Sequence, residues 1–134
     1  MTFVVDASLL VAALVDSGPE GRWAEAIIER ESTVAPELVL VETANVLRRL
    51  ERAKQITSLE ATSAHRDALR LDLVLFPYEP FAPRIWALRE NLTSYDAWYV
   101  ALAEALACPL ATLDVRLSRA SGPTCEIITP SAAR

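Results

Sequence analysis

The 134 residues are 52% hydrophobic and include only 3 glycines, enough apolar material to offset chain entropy, which excludes a disordered or low-complexity chain. The length fits one domain and leaves no room for two. Acids (18) outnumber Lys plus Arg (13), giving a formal charge of −5; this excludes a nucleic-acid coat held by net charge, though not a local basic patch.

Apolar runs reach seven residues, as at Leu9–Val15 between Asp6 and Asp16, against the roughly 20 needed to cross a bilayer, so no membrane span is expected. The opening MTFVVDAS has no basic segment and carries an acid where a secretory signal would be apolar; a cytoplasmic location is expected. Cys108 and Cys125 form no CxxC pair and His65 is the sole histidine, so neither a zinc site nor a disulfide is expected. Both cysteines read as small buried side chains and His65 as a surface residue.

In chain order, Phe3–Val5 is a short β-branched run ending at Asp6, and Ala7–Val15 follows with helical composition up to the breaker Gly18-Pro19. Trp23, Ala26, Ile27 and Arg30 recur at helical spacing before a second strand, Thr33–Ala35. Pro36 then suits the first turn of a long helix reaching about Ala53. Ser58–Leu69 reads as a helix, Leu73–Phe76 as a third strand, and Pro83–Glu90 as a helix. Another helix, with Thr93 or Ser94 as N-cap, runs to Ala107, with Pro109 just beyond it. Leu110–Leu113, a helix over Val115–Ala120, a strand at Glu126–Ile128 and a loose tail from Thr129 to Arg134 complete the chain. Short, continuously apolar strands alternating with helices indicate a three-layer α/β/α fold around a central parallel sheet of about five short strands. In such sheets ligands bind outside the carboxyl ends of the strands.

Asp6 directly follows the first strand and Asp114 the fourth, so one sheet edge presents two carboxylates from distant segments. Each also suits the N-cap of the helix behind it, and Asp96 suits the positive end of its own helix. Glu42 interrupts the apolar stretch Leu38–Val41, with Asn45 at i+3 and Arg49 at i+7 on its face; a solvated stripe is the simpler explanation, but the apolar surroundings argue against full exposure. Four acids on one edge repel unless they are protonated or share a cation. Hard oxygen ligands suit Mg²⁺, with Mn²⁺ as a substitute, and the matching chemistry is phosphodiester hydrolysis by metal-activated water. Paired-histidine ribonuclease chemistry and a Ser-His-Asp triad lack their parts.

Four segments in order, Val4-Val5-Asp6-Ala7-Ser8, Glu42-Thr43-Ala44-Asn45-Val46-Leu47, Tyr95 to Ala103 with Asp96, and Thr112-Leu113-Asp114-Val115-Arg116-Leu117, resemble the PIN domain of VapC-type toxins. The resemblance spans about Val4 to Ile128. It implies a single PIN domain over residues 1–134, a Mg²⁺-dependent endoribonuclease, a VapB-like antitoxin partner and a homodimer. By position it makes Asp6, Glu42, Asp96 and Asp114 the metal-holding catalytic cluster, with Ser8, Asn45 and Thr112 in support. Arg116 stands where many relatives carry a further acid or Asn, which leaves a second metal position open.

Setting the four cluster acids aside leaves the rest of the chain at about −1, a balance that RNA tolerates once a cation is bound. Twelve of the thirteen basic residues are arginine. Arg116 and Arg119 beside Asp114, and Arg48 and Arg49 in a second run, are candidates for phosphate contact, although solvated helix faces explain such runs as well. Tyr95, Trp98 and Tyr99 flank Asp96; Trp98 reads as core, and the tyrosines are open between core and base stacking. An apolar stripe of Leu9, Leu10, Ala13, Trp23 and Ile27 reads either as an antitoxin-binding face or as helix-to-sheet core. Two other functions compete with the nuclease. One is a catalytically weak PIN-like module that binds RNA or protein, and the presence of all four acids disfavours it. The other is a phosphotransfer module, disfavoured because Ser8 stands where a second acid would be and the only lysine, Lys54, lies in a helix.

Overall fold

The computed structural model describes residues 1–130. Strands β1 Thr2–Val5, β2 Ser32–Pro36, β3 Leu73–Phe76, β4 Leu110–Ala111 and β5 Ile127–Ile128 form one parallel sheet in the order β3-β2-β1-β4-β5. The helices are α1 Ala7–Val15, α2 Pro19–Arg30, α3 Val39–Arg52, α4 Ser58–Ala68, α5 Ala82–Ala87, α6 Ser94–Leu106 and α7 Val115–Ser118. From β1 the chain steps outward to β2 and β3, then returns to β4 on the far side of β1. Right-handed crossovers therefore lay α1–α4 on one face and α5–α6 on the other. Consistent with this, α6 packs across β1, β2 and β4, whereas α1 packs among α2, α3 and α4. The strand order reverses between β1 and β4, which opens the crevice that such sheets use for ligands.

Helix α1 is apolar nearly all round, and Leu9 and Leu10 are fully buried beneath the neighbouring helices. The idea of a docking stripe is overturned at Leu9, Leu10 and Ile27, which belong to the core; Ala13 and Trp23 are only partly buried. A run with no polar face has no amphipathic direction, so periodicity alone does not say which side is covered. Gly21 permits the tight α1–α2 approach, because a Cβ there would stand 1.7 Å from the Asp16 carbonyl oxygen and 2.9 Å from that of Ala12.

Several boundaries differ from expectation. Pro36 does not open α3; it ends β2 opposite Phe76, and the Glu37 N–H donates to the Phe76 carbonyl at 2.9 Å. At the last residue of a strand, proline's missing N–H costs the ladder little. A 3-10 turn at Glu79–Phe81 precedes α5, which stops at Ala87 because the next residues tighten into turns, with the Asn91 N–H donating to the Leu88 carbonyl. Helix α7 ends at Ser118, β4 holds two residues, and β5 starts at Ile127. Thr129 and Pro130 are buried, so the loose tail does not begin there; the remainder of it, 131–134, lies outside the described residues. Helix α4 starts where the sequence indicates, with Thr57 and Glu60 forming a reciprocal capping box. As the edge strand, β3 leaves Val74 and Leu75 exposed rather than covered. Cys108 and Cys125 are only partly buried, and His65 is exposed. Among the described residues, no helix is long and apolar enough to cross a membrane.

Candidate active site

The parallel sheet gathers the acids at its carboxyl edge. Asp6 leaves β1 and Asp114 follows β4 across the crevice; Glu42 stands in the first turn of α3 and Asp96 in the first turn of α6. Capping and clustering turn out to be compatible. The Asp6 carboxylate accepts from the Leu9 N–H at 3.1 Å as N-cap of α1, and Asp114 accepts from the Arg116 N–H at 3.0 Å as N-cap of α7.

Two hydroxyls fix Asp6. Ser8 Oγ donates to Oδ1 at 2.7 Å, and Thr112 Oγ1 donates to Oδ2. Each hydroxyl oxygen is itself held by a backbone donor, Leu113 N–H to Ser8 at 3.0 Å and Asp114 N–H to Thr112 at 2.9 Å. The β4–α7 turn therefore orients the carboxylate that ends β1. Glu42 has a different support: the Tyr99 hydroxyl donates to its Oε1 from α6, and Tyr99 is only 2% exposed. Thr93 caps α6 by accepting the Asp96 N–H at 3.2 Å, which decides between the two N-cap candidates.

The electrostatics are those of crowded carboxylates. Burial raises the Asp6 pKa and the Asp114 charge adds to this, outweighing the lowering hydrogen bonds from Ser8, Thr112 and Leu9. Burial also raises Glu42, with the charges of Asp6 and Asp96 acting in the same direction against the Tyr99 hydrogen bond. Asp96 is raised by burial and by Asp114, with Arg116 opposing. Asp114 alone is lowered, because the Arg116 guanidinium forks onto it at 3.2 and 2.9 Å. Three carboxyls are thus destabilised as anions, and the fourth is neutralised by a side chain that is itself 88% exposed. Hard, mutually repelling oxygens are the donor set that a divalent cation relieves. Among the described residues no three acid, His or Cys side chains are drawn together tightly enough to hold a metal ion as they stand.

The structure therefore brings together Asp6, Glu42, Asp96, Asp114, Ser8 and Thr112. Asn45 is exposed one turn along α3 from Glu42. Arg48 lines a separate cleft between α3 and α4 with Leu47, Ala61 and His65, while Arg49 and Arg119 are exposed. Trp98 packs against the core and meets Tyr78 edge-on at 5.3 Å; Tyr95 stays exposed. Tyr99 is neither a base stacker nor plain core. Its hydroxyl role is missing from the sequence reading, where the sole signal is a polar tip on an apolar helix face three residues beyond Asp96.

Known proteins share this arrangement of elements. The PIN domain family profile matches residues 3–123. The chain is 41% identical over 124 residues to the ribonuclease VapC9 of Mycobacterium tuberculosis, covering 92% of this chain and 94% of that one. A solved structure from Pyrobaculum aerophilum superposes with a TM-score of 0.74 at 24% identity, covering 100% of this chain and 91% of that chain. The VapBC2 structure from Rickettsia felis, bound to a DNA fragment from its promoter, aligns with a TM-score of 0.64 at 13% identity over 96% of this chain and 98% of that chain. With the family profile and the curated relatives in agreement, the chain belongs to the VapC family of PIN-domain ribonuclease toxins.

Proposed function

We propose that this toxin hydrolyses RNA phosphodiester bonds at the carboxyl edge of its sheet, with Mg²⁺ held by Asp6, Glu42, Asp96 and Asp114 and Mn²⁺ able to replace it. The observation that carries the reading is the neighbourhood of four acids at the β1–β4 crevice, where three are disfavoured as anions and, among the described residues, form no salt bridge. When bound, the ion supplies Lewis-acid stabilisation of phosphate charge and activation of water. The protein's own residues prepare the place for it. Ser8 and Thr112 aim Asp6, and Tyr99 holds Glu42. With a metal in place, Asp114 would be one of the residues that hold it, and the Arg116 guanidinium now forked onto Asp114 would be free for a phosphate oxygen, which suits its planar fork equally. Arg119 extends that basic rim, and Arg48 and Arg49 form a second, more distant phosphate-contacting surface. Asn45 is a peripheral support.

The partner is an antitoxin of the VapB kind, since related toxins have been solved as VapBC pairs, and the active assembly is a homodimer. An antitoxin side chain with a guanidinium would neutralise the same acids that Mg²⁺ relieves.

Incubating the purified chain with total RNA, with and without Mg²⁺, and mapping the new ends tests the reading. Cleavage should vanish in EDTA and return with Mg²⁺ or Mn²⁺. Persistent cleavage in EDTA by rigorously purified protein would sink the mechanism. RNA retention without cleavage in any divalent ion would instead favour a PIN-like binding module, in which Arg116 permanently occupies the fourth carboxylate.

A further inference from the structure

Between the α5–α6 connection and α7 lies a cleft of about 220 Å³ that opens onto two of the four acids, Asp96 and Asp114. Its other walls differ in chemistry. Leu92, Leu117 and Ala120 are apolar, with Leu117 only 4% exposed, while Asn91 is exposed at the rim and offers an amide, and Thr93 and the exposed Arg116 guanidinium, forked onto Asp114, complete the lining. The opposite loop leaves room for that amide. Gly122 adopts φ +109°, and a Cβ on it would stand 3.1 Å from Asn91 Nδ2 and 3.1 Å from Leu88 Cδ2. Arg84 keeps this loop in position by donating to the Gly122 carbonyl at 3.0 Å while its guanidinium forks onto Glu104.

A slot with apolar walls, a neutral amide at its mouth, and a guanidinium beside the carboxylates at its end matches a flat heterocycle attached to a phosphodiester. Its faces meet leucine and alanine, its edge meets the amide, and its phosphate reaches Arg116 and the cation that the acids would hold. A simple anion would meet Arg116 but leave the apolar walls and Asn91 unused, and a purely apolar ligand gains nothing from Asn91 or Arg116. We propose that this cleft is a nucleobase subsite, holding the base of one unpaired nucleotide next to the cleaved phosphate, with Asn91 reading its edge. The inference rests on the RNA-hydrolase reading above and deepens it, naming Asn91 as a specificity-determining residue of that same site. A base stacked in a duplex cannot enter the slot, whereas an unpaired one can be splayed into it.

The test is cleavage of a randomised single-stranded RNA pool in Mg²⁺, with the new ends sequenced for wild type, Asn91→Leu and Ala120→Leu. Asn91→Leu keeps the side-chain size and deletes both hydrogen-bonding atoms; Ala120→Leu narrows the slot from the opposite wall. Wild type should show a base preference of about tenfold at one position adjoining the cut, the discrimination a single well-placed amide provides. Asn91→Leu should flatten that preference while its thermal melt and Mg²⁺ titration stay at wild-type values. Ala120→Leu should raise KM and shift the preference toward the smaller bases. If wild type shows no preference at either adjoining position, or both variants retain its preference, the subsite is overturned while the nuclease reading stands. If wild type cuts no RNA in any divalent ion, the nuclease reading fails first and takes the subsite with it.

Discussion

Tyr99 places a single oxygen where it matters, since its hydroxyl is the hydrogen-bonding partner of Glu42 and its ring is core. Tyr99→Phe removes that oxygen and keeps the packing. Metal supports of this kind are worth about 10–100-fold in affinity or activity, so Mg²⁺ affinity should fall by that order with little change in the melting temperature. A calorimetric Mg²⁺ titration identical to wild type would show the hydroxyl to be incidental. Residues of this sort are hard to find in a sequence. Asp6 and Asp114 are legible because acids directly after strands fall on a known edge of a parallel sheet. Tyr99 reaches Glu42 across 57 positions of chain, and nothing local to either residue announces the contact. The Arg116–Asp114 fork lies closer to hand, as the two are two positions apart, and the sequence places Arg116 beside that carboxylate without saying that the side chain folds back onto it.

Strand and helix identities are legible from apolar runs and breakers, and their ends follow from contacts that the sequence states only weakly. Pro36 illustrates this. A proline ahead of an apolar helix suits a helix start as well as a strand end, and pairing with Phe76 decides for the strand. Helix α1 is ambiguous in another way, because a run apolar nearly all round points to burial without saying whether the chain's own helices or a partner covers Leu9 and Leu10. The α1–α2 corner makes its requirement plain at Gly21, where an added Cβ meets backbone rather than a flexible side chain. Gly21→Ala must spread the two helices, an overpacking cost of about 1–3 kcal/mol. Chemical denaturation should report that loss. A variant as stable as wild type would mean that the two helices separate without cost.

Across the whole molecule, the Arg84–Glu104 pair ties α5 to α6 and both to the 122–124 loop, since Glu104 also accepts the Thr124 N–H at 2.7 Å. Burial works to raise the Glu104 pKa, but the Arg84 and Thr124 hydrogen bonds outweigh it and the net shift is downward. A carboxylate lowered on folding stabilises the fold above its ordinary pKa, and that contribution is lost as pH falls through the depressed value. Glu104→Gln should therefore cost about 1–2 kcal/mol near neutral pH, discounted for the partly exposed arginine. The gap between variant and wild type should close in strongly acid solution, and a gap that instead widens with acid would reverse the assigned sign.

The same sheet that packs the core also aims its carboxyl edge, so the claim that matters most is that the acids gathered there hold the ion that RNA cleavage needs. The most direct measurement is the rate of single-stranded RNA cleavage as a function of Mg²⁺ concentration for wild type and Asp96→Asn, each first stripped with EDTA. Wild type should be silent without metal and should saturate as Mg²⁺ is added. Asp96→Asn should lose on the order of 100-fold in rate or metal affinity while melting like a folded protein. Superimposable Mg²⁺ curves for the two proteins, or equal cleavage by both in EDTA, would contradict the assignment of this edge as the metal site.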